Sequence, residues 1–147
     1  MTVGISTGTA IGSVDGSAMI RGVPGWEVEL VWGQVRPLIE KALSRNNTGE
    51  YEPIDFLKGC VSGDMQLWIG GDFEAVGVTT ITKFPRKIVC QILLGGGSGL
   101  HHFKEGKDVI AEWAKAQGCD EIRGGGRKGW LRVFGWPQLY VICGKEL

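Results

Sequence analysis

Apolar residues follow a helical period in the first globular stretch of the chain. Between residues 31 and 43 they recur every three or four positions, which is typical of one face of a helix. These residues are Val31, Val35, Leu38, Ile39, Ala42 and Leu43. Pro37 lies inside the pattern and predicts a kink or a late start of the helix. A second, shorter helix is predicted to begin at Pro53 and to end at Gly63.

The segments that follow have the patterns of strands. Residues 65–69 alternate, and residues 75–82 are rich in β-branched side chains. Residues 88–94 are almost continuously apolar, which is typical of a strand buried on both faces. Turns are predicted between these strands, at residues 70–72 and 84–86.

The last third of the chain predicts two helices and two strands. An amphipathic helix covers residues 109–117, and a strand follows at residues 119–123. A glycine-rich turn over residues 124–129 leads into a short helix at 130–134, and residues 140–143 form a predicted closing strand. The predicted order is therefore α-α-β-β-β-α-β-α-β, an α+β domain with a mixed sheet.

The beginning of the chain differs from the rest. Residues 1–25 are rich in Gly, Ser and Thr and hold no helical or strand period. Such a segment buries too little apolar surface to offset its conformational entropy, so we expect a partner subunit to hold it. The predicted organisation is an extended arm over residues 1–25 and a globular domain over residues 26–147. Trp26 and Trp32 lie near the junction and are candidate anchors for a protein partner, with burial in the domain as the alternative.

Charge is balanced in this chain. The 16 basic and 16 acidic residues cancel, so no net charge attracts a nucleic acid or an anionic membrane. A nucleic-acid partner is therefore not expected, although the chain has a local basic cluster of Arg123, Arg127, Lys128 and Arg132. No apolar run approaches the ~20 residues of a membrane span. No basic leader with an apolar core marks a secretory signal.

Cysteine and histidine placement does not favour a metal site. The four cysteines, Cys60, Cys90, Cys119 and Cys143, form no C-x-x-C pair. We expect reduced thiols that pack as small hydrophobic groups, as in a cytosolic protein. His101 and His102 are adjacent, and neighbouring residues rarely converge on one ion.

The order of elements and one set of residues resemble the GNAT (Gcn5-related) acetyltransferases. The resemblance covers residues 26–147 and implies a GNAT-like fold in which residues 88–94 are the central strand and the next loop holds acetyl-CoA. A narrower resemblance is to small GNAT-like proteins of tailed phages and prophages. It rests on Glu112-Trp113-Ala114-Lys115, Gly118-Cys119, Gly126-Arg127 and Gly129-Trp130. Some podovirus relatives of that kind are internal virion proteins rather than demonstrated enzymes.

The glycine-rich segment after the predicted central strand is the candidate coenzyme site. Backbone amides freed by glycine can point at phosphate oxygens from the start of a helix. The candidate coenzyme-binding residues are Gly95, Gly96, Gly97, Ser98, Gly99 and Arg127. The chain departs from the family pattern, because no Arg or Gln precedes the glycines and residues 100–106 intervene before the helical pattern is secure. A flexible or close-packed connection is the alternative.

The catalytic groups that the resemblance implies cannot be identified in the sequence. The family's general acid is a Tyr on the last helix, and the predicted last helix contains no Tyr. Tyr140 lies on the predicted closing strand, where packing is the simpler role. Glu74 and Asp72 fit a solvated turn, and His101 and His102 are candidate bases only if they face the splayed strands. The catalytic residues are therefore left unassigned.

The turn at residues 124–129 has two interpretations. Arg127 and Arg132 could bind a phosphate group with two hydrogen bonds each. Equally, Arg127 could pair with Asp120 or Glu121, while Trp130 fills the gap between sheet and helix.

These observations lead to competing functional hypotheses. The first is a phage-encoded GNAT-fold protein that has lost catalysis and acts through protein contacts, as a virion or virion-assembly component. Its partners would be other virion proteins bound through the arm, and its location the host cytoplasm during synthesis and then the virion. The alternative is an active N-acetyltransferase that uses acetyl-CoA. A nucleic-acid-binding module built on the basic cluster is the weakest hypothesis, because the net charge is zero.

Overall fold

Five strands form one mixed sheet in the computed structural model, which describes residues 20–45 and 49–147. The strands are β1 (Ile20–Val23), β2 (Met65–Gly70), β3 (Ala75–Lys83), β4 (Ile88–Gly97) and β5 (Glu121–Gly124). They lie in the sheet in chain order; β1 to β4 are antiparallel neighbours, and β5 runs parallel to β4. The helices of the described residues are α1 (Gly25–Arg45), α2 (Pro53–Ser62), α3 (His101–Ala116) and α4 (Gly129–Phe134).

The helices cover both faces of the sheet, so that the chain forms three layers. Helices α1 and α2 pack on one face, in a core that includes Val28, Val35, Ile39, Phe56, Leu67 and Val76. Helix α3 packs on the other face, in a core that includes Trp68, Cys90, Phe103, Ile110 and Trp113. The two apolar faces of the sheet explain why β4 is almost continuously apolar. The predicted α+β class with a mixed sheet is confirmed.

The two predicted N-terminal helices are present, with different bounds. Helix α1 begins at Gly25 and continues through Pro37, so the late start that Pro37 predicted is wrong. Helix α2 begins at Pro53 as predicted, and the Glu52 N–H donates to Asp55 Oδ2 at 2.8 Å in front of its first turn. Gly63 ends α2 with φ of 88°, a left-handed conformation that favours glycine.

A buried polar network lies between the sheet and α3. The Trp68 Nε1–H donates to Thr79 Oγ1 at 2.9 Å, and the Thr79 hydroxyl donates to Gln66 Oε1 at 2.9 Å. The Trp68 ring meets the Trp113 ring edge-on, with centroids 5.4 Å apart. The indole of Trp68 can therefore be fully buried because its polar atom has a partner.

Strand β5 is short and is attached to β4 by polar contacts. Asp120 Oδ2 accepts the Ile88 N–H at 2.9 Å at the start of the strand pair. The Glu121 carboxylate pairs with Lys87 at 2.9 Å and with Arg123 at 2.7 Å. The hydrogen bond from Lys87, reinforced by Arg123, lowers the pKa of Glu121 below its usual value.

Strand β1 corrects the predicted boundary of the arm. Ile20 pairs with Gly70 and Val23 pairs with Leu67, and both β1 side chains are buried. A strand of four residues with an internal Gly is too short to reveal its period, which explains why the sequence did not predict it. The remainder of the predicted arm, residues 1–19, lies outside the described residues.

The C-terminal end is a second correction. Residues 140–143 form no strand in this chain, and Tyr140 is exposed rather than packed. Cys143 is also exposed, so it is not a core thiol as expected; all four cysteines are free, with Cys60 and Cys90 buried. Helix α3 begins at His101, well before the predicted start at residue 109.

We expect Thr79→Val to lower the free energy of unfolding by about 1–3 kcal/mol, because it leaves the buried Trp68 Nε1–H without its acceptor. Urea denaturation measures the change. The matched control is Thr80→Val, since Thr80 makes a single bond of 2.8 Å to the Asp64 carbonyl at an exposed position. We expect it to change stability by less than about 0.5 kcal/mol. Equal losses in the two variants would contradict a structural role for the buried network.

Candidate functional site

Strands β4 and β5 separate part of the way along β4. The pairing runs from Val89 opposite Glu121 to Ile92 opposite Gly124, where β5 ends. Strand β4 continues to Gly97 and pairs there with β3 alone among the described residues. We call the space between the carboxyl half of β4 and the end of β5 the fork. Open edges between parallel strands are where α/β folds place ligands.

A β-bulge marks the start of the fork. On β3, Val78 pairs with Leu94 and Thr79 with Ile92, so Leu93 is the extra residue on β4. Leu93 and Leu94 both pack against the α1–α2 core, because the bulge interrupts the alternation. The sequence contains a weak signal for this feature, the two adjacent leucines Leu93 and Leu94 within a strand.

The candidate glycines at positions 95 to 97 belong to β4 and are closely packed. A Cβ at Gly95 would lie 2.8 Å from the Trp130 ring, and one at Gly96 would lie 2.7 Å from Ala42 Cβ. At Gly97, φ is 116° and a Cβ would lie 2.3 Å from the Glu74 carbonyl oxygen. These glycines let other groups approach the backbone, so the close-packed alternative describes this part of the segment.

The loop itself is reduced to residues 98–100, in front of α3. The Gly99 N–H donates to the Glu74 carbonyl at 3.0 Å. Among the described residues, no backbone acceptor takes the N–H of Ser98, Leu100 or His101. Helix α3 has 16 residues, and its N-terminus carries partial positive charge that favours an anion. Part of an anion-binding arrangement is therefore present, with one of its amides already occupied.

Glu74 and His102 lie beside this loop. His102 is buried, and neither ring nitrogen has a hydrogen-bond partner among the described residues. Its Nε2 is 3.4 Å from Glu74 Oε1, longer than an ordinary hydrogen bond. Gly71 and Gly99 make room for the pair, because a Cβ at either position would come within 3 Å of the His102 ring. An unsatisfied buried imidazole costs stability and is not explained by packing.

Aromatic side chains occupy the fork. The rings of Trp130 and Phe134 stack with centroids 5.3 Å apart, and Phe134 stacks on Trp136 at 4.6 Å. Trp130 lies against Gly95, and the Phe134 ring lies 3.4 Å from where a Cβ at Gly124 would be. Trp130 thus takes the gap-filling place that the sequence suggested, with its helix α4 held to α3 by the hydrogen bond from Lys107 Nζ to the Phe134 carbonyl.

The basic residues of the cluster have different surroundings. Arg127 is exposed in the turn before α4. Of the two acids that the sequence offered as alternative partners of Arg127, Glu121 pairs with Lys87 and Arg123, and Asp120 Oδ2 accepts the Ile88 N–H. The guanidinium of Arg123 is therefore not free to bind a phosphate.

The described residues offer few groups for acid–base or nucleophilic chemistry. Tyr140, the sole Tyr after the fork, is exposed in the C-terminal segment. His101 is exposed, and its ring lies against that of His102 at a tilt of 36°, with centroids 4.1 Å apart. Burial raises the pKa of the Cys60 and Cys90 thiols to about 12, so neither is a thiolate nucleophile near neutral pH.

The two predicted partner-binding tryptophans have different surroundings. Trp26 lies in the first turn of α1 with 63% of its surface exposed, one turn before the exposed Leu30. Trp32 is half-buried and packs against the α1–α2 core. Of the two, only Trp26 is largely exposed.

Residues 20–45 and 49–147 contain no group of three His, Cys, Asp or Glu side chains placed to hold a metal ion. No helix in the same ranges combines the length and the apolar character that crossing a membrane requires.

No protein-family model matches the sequence, and no curated protein matches it significantly. Solved structures do share its architecture. An aminoglycoside acetyltransferase from an uncultured soil metagenomic sample aligns with a TM-score of 0.65 at 10% identity, over 87% of this chain and 95% of that one. A predicted acetyltransferase with acetyl-CoA from Clostridium acetobutylicum gives 0.61 at 11%, over 86% and 94%. A GNAT family acetyltransferase from Staphylococcus aureus gives 0.56 at 16%, over 88% and 98%. The chain has the GNAT-like fold, and identities this low show the fold alone.

We expect His102→Leu to raise the free energy of unfolding by about 1–2 kcal/mol, because it removes two buried nitrogens that lack partners. Thermal and urea denaturation measure the gain. The control is His101→Leu at the adjacent exposed position, which we expect to stay within about 0.5 kcal/mol of wild type. A large loss of stability in His102→Leu would mean instead that the imidazole holds Glu74 in place.

Proposed function

We propose that this GNAT-fold chain does not catalyse acetyl transfer and acts through protein contacts. One observation carries the proposal: groups of the chain itself occupy the places where the resemblance expects the coenzyme. Trp130 lies against Gly95 in the fork, and the Glu74 carbonyl takes the Gly99 amide in the loop. A ligand would have to displace both interactions before it could bind.

Electrostatics at the loop add to the argument. The Glu74 carboxylate lies beside Gly71 and 3.4 Å from Nε2 of His102, which is in the first turn of α3. A pyrophosphate at that helix end would face a negative charge, and like charges at short range are unfavourable. Ile92 stands three residues before Gly95, where the family pattern has Arg or Gln, so no cation at that position offsets this repulsion.

The acid–base groups of the transfer reaction also lack counterparts here. Helix α4 carries no Tyr that could reprotonate a departing thiolate. His102 is buried, which keeps its imidazole from an acceptor amine. These features favour a protein that has the acetyltransferase fold but does not catalyse acetyl transfer.

The contact surface of the proposal is the exposed apolar part of α1. Trp26 and Leu30 lie one helical turn apart and are both exposed, and Trp is enriched at binding hot spots. Residues 20–23 of the predicted arm form β1, and its last residue, Gly25, begins this helix. Trp26 therefore follows directly on the predicted arm in the chain.

The specific form of the proposal is a phage virion or virion-assembly protein, made in the host cytoplasm. It rests on the resemblance of residues 112–130 to small GNAT-like phage proteins. We expect mass spectrometry of purified particles of the encoding phage to detect the chain at a fixed ratio to the major capsid protein. Particles without the chain, from infected cells that contain it, would contradict a virion role.

The second candidate function is an acetyl-CoA-dependent N-acetyltransferase. The observation in its favour is the fork itself, with a β-bulge at Leu93 where β4 leaves β5. A bulge leaves backbone groups unpaired, and bulges are frequent beside active sites. This function requires Trp130 to move out of the fork.

Isothermal titration calorimetry with acetyl-CoA separates the two functions. We expect no heat of binding up to millimolar acetyl-CoA for the wild type, because Trp130 and Glu74 occupy the site. Trp130→Ala in the same experiment opens the fork and tests whether occupancy alone prevents binding.

Micromolar binding by the wild type would contradict the proposal. A charge variant then locates the ligand: Ser98→Asp adds a negative charge to the exposed loop and should weaken binding at least about tenfold if phosphate lies there. Ser44→Asp at the exposed end of α1 is the matched control. Substitution of Gly97 is unsuitable, because any side chain there meets the Glu74 backbone.

A further inference from the structure

Helix α1 carries apolar residues on the side that faces away from its core. Trp26, Leu30, Gly33 and Pro37 follow one another at intervals of four, three and four residues, which places them on one line of the helix. All four are exposed, although the outer face of a surface helix normally carries charged and polar side chains. We call these four residues the outer stripe. A contiguous exposed apolar run of this kind marks an interaction site.

Neither packing nor helix stability explains the outer stripe. Trp26 and Leu30 are 63% and 74% exposed. A Cβ at Gly33 would point into open space, since no other part of the described chain comes within 4 Å of it. Gly and Pro are the least favourable residues in a helix interior, so Gly33 and Pro37 do not stabilise α1. The composition of the stripe therefore fits a surface that packs against a partner.

The side-chain sizes along the outer stripe match those of the same stripe in the opposite direction. The two large side chains, Trp26 and Leu30, lie in its first half, and the small residues, Gly33 and Pro37, lie in its second half. In an antiparallel pair of α1 helices, Trp26 faces Pro37 of the second copy, and Leu30 faces Gly33 of the second copy. The absence of a side chain at Gly33 lets the two helix axes approach within the roughly 8–10 Å of packed helices without a clash at Leu30.

The charges beside the outer stripe match in the same arrangement. Glu29 and Arg36 are exposed and seven residues apart, so they border the stripe on the same side, one in each half. Antiparallel pairing brings Glu29 of each copy to Arg36 of the other, whereas parallel pairing would bring like charges together. Arg36 binds Glu40 of its own helix through Nε at 2.7 Å, and its guanidinium has further N–H groups for a second carboxylate.

We propose that the outer stripe binds the same stripe of a second copy of this chain, with the two α1 helices antiparallel. Because each contact occurs twice about a two-fold axis, the pairing closes as a dimer. The inference rests on the proposed function for its choice of α1 as the contact surface, and it names the partner. The stripe faces away from the sheet, so the pairing leaves the fork unchanged.

Sedimentation equilibrium on the full chain tests the pairing. We expect a species of twice the 15.9 kDa chain mass at micromolar concentration. Gly33→Gln fills the space that Leu30 of the second copy needs and should raise the dimer dissociation constant at least about tenfold. Gln favours a helix more than Gly does, so this variant should unfold at the same or a higher temperature than wild type. Ala116→Gln, at the exposed end of α3, is the matched control and should remain dimeric.

Exchange of the bordering charges tests the antiparallel register. Glu29→Arg brings like charges together twice in the dimer and should raise the dissociation constant at least about threefold. The double variant with Arg36→Glu restores opposite charges across the interface. We expect its dissociation constant to return to within about twofold of wild type, because the exposed pair of Arg36 with Glu40 contributes little to stability.

Three results would overturn the pairing: a chain that stays monomeric at all concentrations, a dimer that Gly33→Gln leaves intact, and a dimer that the charge exchange fails to restore. Calorimetry with acetyl-CoA on the same samples separates this inference from the proposed function. A monomer that binds no acetyl-CoA contradicts the pairing alone. A dimer that binds acetyl-CoA at micromolar concentration supports the pairing and contradicts the proposed function.

Discussion

The close approach of other groups to the carboxyl half of β4 is the constraint on which the rest of this structure depends. Glycine at positions 95 to 97 lets Trp130 lie on one side, Ala42 of α1 on the other, and the Glu74 backbone at the end. With larger residues the two helical layers could not close over β4 beyond its bulge. The same glycines that suggest a phosphate loop are therefore required for packing, and the loop that remains is three residues long.

The sequence predicted the elements in which apolar residues recur regularly and missed those in which the pattern is broken or very short. The regular patterns belong to helices α1 and α2 and to strands β2 to β4, and each of these segments adopts the structure that its pattern predicts. The first turns of α3 were missed because His102 and Gly106 stand at buried positions where the period requires apolar residues. Strand β1 has four residues, and its place in the sheet depends on pairing with β2, which no local pattern encodes.

The candidate site was predicted in part. The segment at residues 95–99 lies between the central strand and a helix, as a phosphate loop must. The sequence alone did not show that Gly95, Gly96 and Gly97 still belong to the strand. Arg127 could not be excluded from the site by sequence, because the direction of the turn before α4 depends on the aromatic stack of Trp130, Phe134 and Trp136. The unpartnered His102 beside Glu74 required coordinates, since burial and missing hydrogen bonds are three-dimensional facts.

Backbone amide chemical shifts in a titration of the ¹⁵N-labelled chain with coenzyme A test most directly whether the chain itself fills the coenzyme position. If Trp130 and Glu74 occupy that position, the amides of Gly95, Ser98, Leu100 and His101 should not shift at millimolar coenzyme A. Saturable shifts confined to these amides would contradict the account. Such shifts would mean that a ligand displaces the aromatic stack from the fork and that the chain binds coenzyme A.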